Sequence, residues 1–110
     1  SDRLTPWEVI EKRLACAAQG DFALALYNPS SKGRPDYLRL AADILLAHGK
    51  APDTLCGWVR NIGREGQEKQ LLPLSQLRDT EVDMFTTVFV GNAATRALNG
   101  RMVTPRGYRR

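Results

Sequence analysis

Three short apolar runs separated by two helical patterns restrict this chain to a sheet with helices laid on it. The runs are residues 22–27 (FALALY), 55–60 (LCGWVR) and 84–90 (MFTTVFV). Each is too short to be a helix that buries a face, and the last is rich in the β-branched and aromatic side chains that suit a pleated surface. Each meets a breaker: Asn28-Pro29, the glycine-bearing NIGREGQ stretch, and Gly91-Asn92. The intervening apolar residues recur at helical spacing instead. Trp7, Ile10, Leu14 and Ala17 or Ala18 share one face, and so do Leu38, Ala41, Ala42, Leu45 and Leu46. Thr5-Pro6-Trp7-Glu8 reads as a helix start, with Thr5 as cap, Pro6 at the first helical position and Glu8 closing a capping box. Gly20 stops that helix; Pro35 opens the second and Gly49 stops it. Further along, 68–72 reads as a strand, 73–79 as a short helix or turn, 93–98 as a brief helix and 101–103 as a last short strand. This order predicts an α/β domain: one mixed β-sheet with helices packed on it.

The 110 residues make one small domain, and 43% hydrophobic with 25% charged residues is ordinary for a globular protein. No apolar run approaches the roughly 20 residues that span a bilayer, so no membrane partner is expected. Residues 1–3 are polar and a charged helix follows, which is not a signal peptide. Cys16 and Cys56 sit in the apolar contexts LACAA and LCGWV. They read as two buried thiols in a reducing compartment, and neither belongs to a metal-ligand pattern. His48, in LAHGK, falls at a helix end, where a cation favours the dipole. The net charge of +4 is uneven, because Arg101, Arg106, Arg109 and Arg110 crowd the last ten residues. Such a tail suits nucleic acid, a solvated end, or the carboxylates of an acidic small molecule. Against a nucleic-acid module, the aromatics do not interleave with the basic residues as a stacking platform requires.

No paired carboxylates, no Ser-His-Asp order and no nucleophile elbow occur, so no catalytic side chain is assigned. The informative positions are strand ends, because ligands of open α/β sheets sit outside the carboxyl ends of the strands. Residues 26–29 and 60–63 are two such ends, and Phe85-Thr86-Thr87 starts a neighbouring strand. Asn28 precedes a proline and is pushed to extended geometry. Gly63 and Gly66 permit close backbone approach. On the residues alone, plain turns are the favoured reading of these segments.

Five strings then add a different kind of information: SDRLTPWEVIEKRL, ALYNPSSKGRP, VRNIGREGQ, DMFTTVFVGNAATR and NGRMVTPRGY. In this order they resemble the second half of enzymes of the tetrapyrrole methylase family, from residue 1 to about residue 108. The resemblance implies a two-domain α/β enzyme with S-adenosyl-L-methionine folded in the cleft and the tetrapyrrole beside it. The first domain of such enzymes supplies a GxGPG loop and a PGxxA segment, and this chain has neither. On that basis residues 1–110 are a C-terminal domain, 1–5 an interdomain linker, the N-terminal domain is absent, and the chain alone is expected to be inactive. The second domain cradles the adenine side largely through backbone groups. The resemblance places Asn28, Ile62 and Thr86 at cofactor-contacting positions, with Tyr27, Asn61 and Thr87 as neighbours. It turns Asp2, Arg3 and Thr5 towards the tetrapyrrole substrate. The implied reaction is methylation of a precorrin at C(17) with ring contraction in cobalamin biosynthesis, by a cytoplasmic homodimer. The substrate would be precorrin-3B or cobalt-precorrin-3, with no nucleic-acid or membrane partner. Arg101 and Arg106 could touch substrate or pin the tail. A small basic nucleic-acid-binding module is the alternative reading.

Overall fold

Nine elements follow one another in the computed structural model, which describes residues 6–27 and 36–105. They are α1 (Trp7–Gln19), β1 (Leu24–Tyr27), α2 (Tyr37–Ala47), β2 (Leu55–Arg60), β3 (Glu68–Pro73), α3 (Leu74–Leu77), β4 (Thr86–Val90), β5 (Arg96–Leu98) and β6 (Arg101–Val103). Four strands form one sheet in the order β1-β4-β2-β3, and β5 with β6 forms a separate hairpin.

The expected α/β arrangement, helices packed on one sheet, holds. The pairing inside the sheet is antiparallel throughout rather than mixed. β1 and β2 do point the same way, as a strand–helix–strand crossover requires. Between them lies β4, which pairs with Leu24–Tyr27 on one side and with Cys56–Arg60 on the other. The parallel pair is thus split by an antiparallel strand that arrives later in the chain.

The helices bury one face of the sheet. Ile10, Leu14 and Ala18 of α1, Leu38, Ala41 and Leu45 of α2, and Leu74 and Leu77 of α3 pack with Leu26, Cys56, Leu72, Val88 and Val90. Trp7 and Tyr37 meet edge to face at 5.8 Å. These are the helical stripes expected from the spacing. At the start of α1, Pro6 stands at the N-cap rather than in the first turn. Its carbonyl accepts the amides of Val9 and Ile10 at 3.0 and 3.3 Å, and among the described residues no side chain caps the helix. A proline side chain has no acceptor to offer, and Thr5 lies outside the described residues.

The expected brief helix over 93–98 is a second correction. Residues 96–98 form β5, paired in register Arg96↔Val103, Ala97↔Met102 and Leu98↔Arg101. Asn99 and Gly100, at φ +52 and +74°, make the two-residue left-handed turn whose twist matches a hairpin. The Asn-Gly pair was the signal for it. The hairpin lies over the open face of the sheet, where a Cβ on Gly57 would stand 3.1 Å from both Leu71 Cδ2 and Met102 Sδ.

Only one of the two thiols is buried. Cys56, on β2, is fully buried against the helices, and burial pushes its thiol up to about 12. Cys16 is exposed, since α1 turns Leu14 and Ala18 inward and carries the residue between them outward. A thiol reagent should therefore label one cysteine in the native protein and both after unfolding. Rapid double labelling without denaturant would contradict this core.

At the end of the sheet where β4 finishes, Lys50 is wholly buried. Its ammonium donates to the carbonyls of Gly91 and Phe22 at 2.6 and 2.8 Å and to Asp21 Oδ1 at 3.2 Å. Asp21 Oδ2 in turn accepts the Ala93 amide at 2.9 Å. That backbone bond, with Lys50 adding to it, holds the Asp21 carboxyl below the usual carboxylate range. One cation so ties together the α1–β1 link, the α2–β2 link and the exit of β4. His48 occupies the C-cap position of α2, the expected helix end, with its Nδ1 3.4 Å from Gln19 Nε2.

Candidate cofactor-binding end of the sheet

Because β1 and β2 run the same way, their carboxyl ends reach the same edge, and the antiparallel β4 starts there. The register sets Tyr27, Thr87 and Val59 side by side on three neighbouring strands and Arg60 opposite Thr86. Five residues expected to lie near the cofactor, Tyr27, Asn61, Ile62, Thr86 and Thr87, are thereby gathered at one end of the sheet from distant parts of the chain. Asn28, which follows Tyr27 directly, lies outside the described residues. So do Asp2, Arg3 and Thr5, and also Arg106.

The five residues present different things. Asn61 is left-handed at φ +59°. Its amide donates to Phe85 O at 3.1 Å, and its carboxamide Nδ2 donates to Gly66 O at 3.4 Å. Gly63 and Gly66, at φ +72 and +82°, complete the turn. At Gly63 a Cβ would meet nothing within 4 Å, so backbone conformation rather than crowding calls for glycine there. Ile62 and Tyr27 hold their side chains out, 54% and 66% exposed. Thr86 does the reverse. It is fully buried, donates its hydroxyl to Asp83 Oδ1 at 2.8 Å and accepts the Asp83 amide at 3.1 Å. Its side chain has nothing left for a ligand, and its amide donates to Asp83 O at 3.1 Å. Thr87 is nearly buried on the opposite face.

Other residues at this end were not assigned to the site from the sequence. Phe85 and Met84 are 46% and 58% exposed, and the Arg64 guanidinium lies 4.7 Å over the Phe85 ring. The sequence begins this strand at Met84 and places Phe85 at its start, but β4 begins only at Thr86. Arg60 and Asp83 are the charged pair beneath, with Arg60 Nε 3.4 Å from Asp83 Oδ2. Thr86 and Phe85 hold the Asp83 carboxyl below its ordinary range, the Thr86 hydroxyl contributing most. The resulting surface combines apolar and aromatic side chains with strand-end backbone groups, which suits a flat heterocycle better than acid–base work. A cavity of about 760 Å³ lies elsewhere, on the open sheet face among Ala25, Val59, Leu71, Phe89 and Met102.

Known proteins share this arrangement. The crystal structure of the methyltransferase CobJ superimposes with a TM-score of 0.82 at 42% identity, over 96% of this chain and 44% of that one. A probable cobalt-factor III C(17)-methyltransferase of Salmonella typhimurium is 47% identical over 98% of this chain and 44% of its own length. A precorrin-3B C(17)-methyltransferase of a Sinorhizobium species is 38% identical over 98% of this chain and 44% of its own length. No family model matches. By fold and sequence together, the chain is similar to methyltransferases that share the α/β fold of tetrapyrrole methylases. It matches the C-terminal part of enzymes named cobalt-factor III and precorrin-3B C(17)-methyltransferases. It spans less than half the length of each of these relatives.

Proposed function

We propose that this chain is the cofactor-cradling C-terminal half of an S-adenosyl-L-methionine-dependent methyltransferase. Its reaction is methylation of precorrin-3B or cobalt-precorrin-3 at C(17), with ring contraction, in cobalamin biosynthesis. One observation carries the reading: in a chain whose relatives bear those names, Tyr27, Asn61, Ile62, Thr86 and Thr87 converge on one end of the sheet. The residues there fit the adenine side of the cofactor. Ile62, Tyr27 and Phe85 offer apolar and aromatic surface, and the bonds of the Asn61 amide to Phe85 O and of the Phe85 and Thr86 amides to Asp83 fix the backbone beneath it. The cofactor supplies an activated methyl group and a good leaving group. The chain's residues then need only bind, orient and exclude water, which agrees with the lack of any acid–base constellation in the sequence.

The rest of the reading rests on the family resemblance. Residues 1–5 are an interdomain linker, with Asp2, Arg3 and Thr5 towards the tetrapyrrole, and the preceding domain carries the glycine-rich half of the site. The complete enzyme is a cytoplasmic homodimer. No described helix is long and apolar enough to cross a membrane. The comparisons give the basic nucleic-acid module no support.

Ile62 is the position for a clean test, because Thr86 faces the core and a bulky residue there would disturb folding first. In the complete protein, Ile62→Trp should weaken S-adenosylmethionine binding about tenfold, roughly 1.4 kcal/mol, by filling the adenine surface. Arg109→Ala in the basic tail should leave the affinity within about twofold. Calorimetric titration reads both, and equal or reversed effects would count against the site.

A further inference from the structure

Arg60 is the point on which the segments at this end of the sheet converge. It closes β2, and its guanidinium reaches across to three other places. Nη1 donates to Glu68 Oε1 at the start of β3 at 3.0 Å. Nη2 donates to Glu81 O at 3.3 Å. Nε faces Asp83 Oδ2 at 3.4 Å and Thr86 Oγ1 at 3.5 Å. The plane is backed by the Trp58 ring at 4.8 Å. Asp83 then acts as the second clamp. Its Oδ1 accepts the Phe85 amide at 2.9 Å as well as the Thr86 hydroxyl, and its carbonyl accepts the Thr86 amide at 3.1 Å. Phe85 O in turn receives the Asn61 amide. A chain of bonds thus runs from Arg60 through Asp83 to Phe85 and back to Asn61, enclosing the backbone that the proposed adenine site uses.

Two roles are open to such a network, and magnitudes separate them. Arg60 keeps a quarter of its side chain exposed, and Glu68 and Asp83 keep 60% and 50%. Exposed ion pairs of this kind contribute at most about 1 kcal/mol each to global stability, because water screens them. The fold has a far larger hold in its apolar core. Geometry is what the network supplies: a planar fork with five N–H donors fixes several segments at once, which a lysine cannot imitate.

We propose that Arg60, clamped by Asp83, is a positioning residue for the cofactor. It presets the backbone of residues 61–62 and 85–87 for the adenine side by pinning β3, the 81–83 segment and the start of β4 to the end of β2. The inference rests on the reading of this sheet end as the S-adenosylmethionine site.

The test uses the complete protein, with Arg60→Met, Arg60→Lys and Asp83→Asn compared by calorimetric titration with S-adenosylmethionine, thermal melting and amide hydrogen exchange. Both Arg60 variants should raise Kd about tenfold, with no rescue by lysine. Melting should fall by no more than about 2–4 °C. Exchange should quicken across 61–67 and 83–88 and stay unchanged elsewhere. Wild-type affinity in Arg60→Met, or full rescue by Arg60→Lys, would overturn the positioning role while leaving the function standing. Exchange that quickens over the whole sheet would make Arg60 merely structural and would equally overturn it. Should Arg60→Met fail to fold, Asp83→Asn decides, since it keeps the volume and one carbonyl acceptor for Phe85 and Thr86 but removes the charge and puts an N–H donor where Oδ2 met Arg60. Unchanged affinity there sinks the proposal. Failure of the wild-type protein to bind S-adenosylmethionine would bring down both this inference and the reading beneath it, whereas a response to Ile62→Trp without one to Arg60→Met would bring down this one alone.

Discussion

Replacing Lys50 with methionine is expected to cost the folded protein about 3 kcal/mol, read as a lower urea midpoint at unchanged slope. The side chain has no exposed surface, so no water can take over its work. Its ammonium satisfies the carbonyls of Phe22 and Gly91, and methionine fills similar volume while offering neither a donor. Each buried acceptor left without a partner costs about 1–3 kcal/mol. The Asp21 pair adds little, because that carboxylate is half exposed and keeps the Ala93 amide. Asp21→Asn should accordingly be much milder than Lys50→Met. A loss below about 1 kcal/mol for Lys50→Met would mean that the three joined segments hold together without the cation.

Gly91→Val is expected to be comparably damaging, about 3 kcal/mol or more, through overpacking rather than lost bonds. A Cβ there would lie 2.5 Å from Thr95 Oγ1, 2.7 Å from Thr95 Cβ and 2.8 Å from Leu55 O. None of these can yield. Leu55 O accepts the Gly91 amide at 2.9 Å, which fixes the two backbones together. Thr95 is buried, with its hydroxyl accepting the Asn92 amide at 2.8 Å and lying 2.6 Å from Thr104 Oγ1. Gly91→Ala should already show most of the effect, since the first carbon makes the clash. A thermal melt of the alanine variant at the wild-type temperature would refute the argument. Because Gly91 also presents its carbonyl to Lys50, the two sites share a partner and their effects should not add.

What could be read before folding was whatever depends on local spacing. The inward faces of α1 and α2 follow from apolar residues three and four apart, and Ile10, Leu14, Leu38, Ala41 and Leu45 are buried as that period requires. The three apolar runs are strands because they are short, end at breakers and, in the last case, are rich in β-branched and aromatic side chains. The five ordered strings carried the family, and with it the positions to examine at the strand ends. Elsewhere a local signal was present but lost to a competing one: Asn99-Gly100 marks a hairpin, yet the alanine and leucine before it favour a helix in isolation. Cys16 and Cys56 share apolar neighbours in sequence, and only the rotation of α1 and the packing on β2 send one out and one in.

Strand partners are chosen by the packing of the whole chain, so the insertion of β4 between β1 and β2 was beyond local reasoning. That insertion builds the candidate site, because it brings Thr86 and Thr87 between Tyr27 and Asn61. The period of two in a strand says that Thr86 and Thr87 face opposite ways. Which of them looks inward depends on where the helices lie, and they lie against Thr86, Val88 and Val90. The clamp of Arg60 on Glu68, Glu81 and Asp83 likewise joins residues that no spacing relates. The sequence by itself determined the two long helices, the strands of the main sheet, the family resemblance and which strand ends to watch, since these rest on local periodicity and ordered motifs. The tertiary structure alone decided strand order, side-chain facing and the charged clamp, since these depend on contacts between segments far apart in the chain.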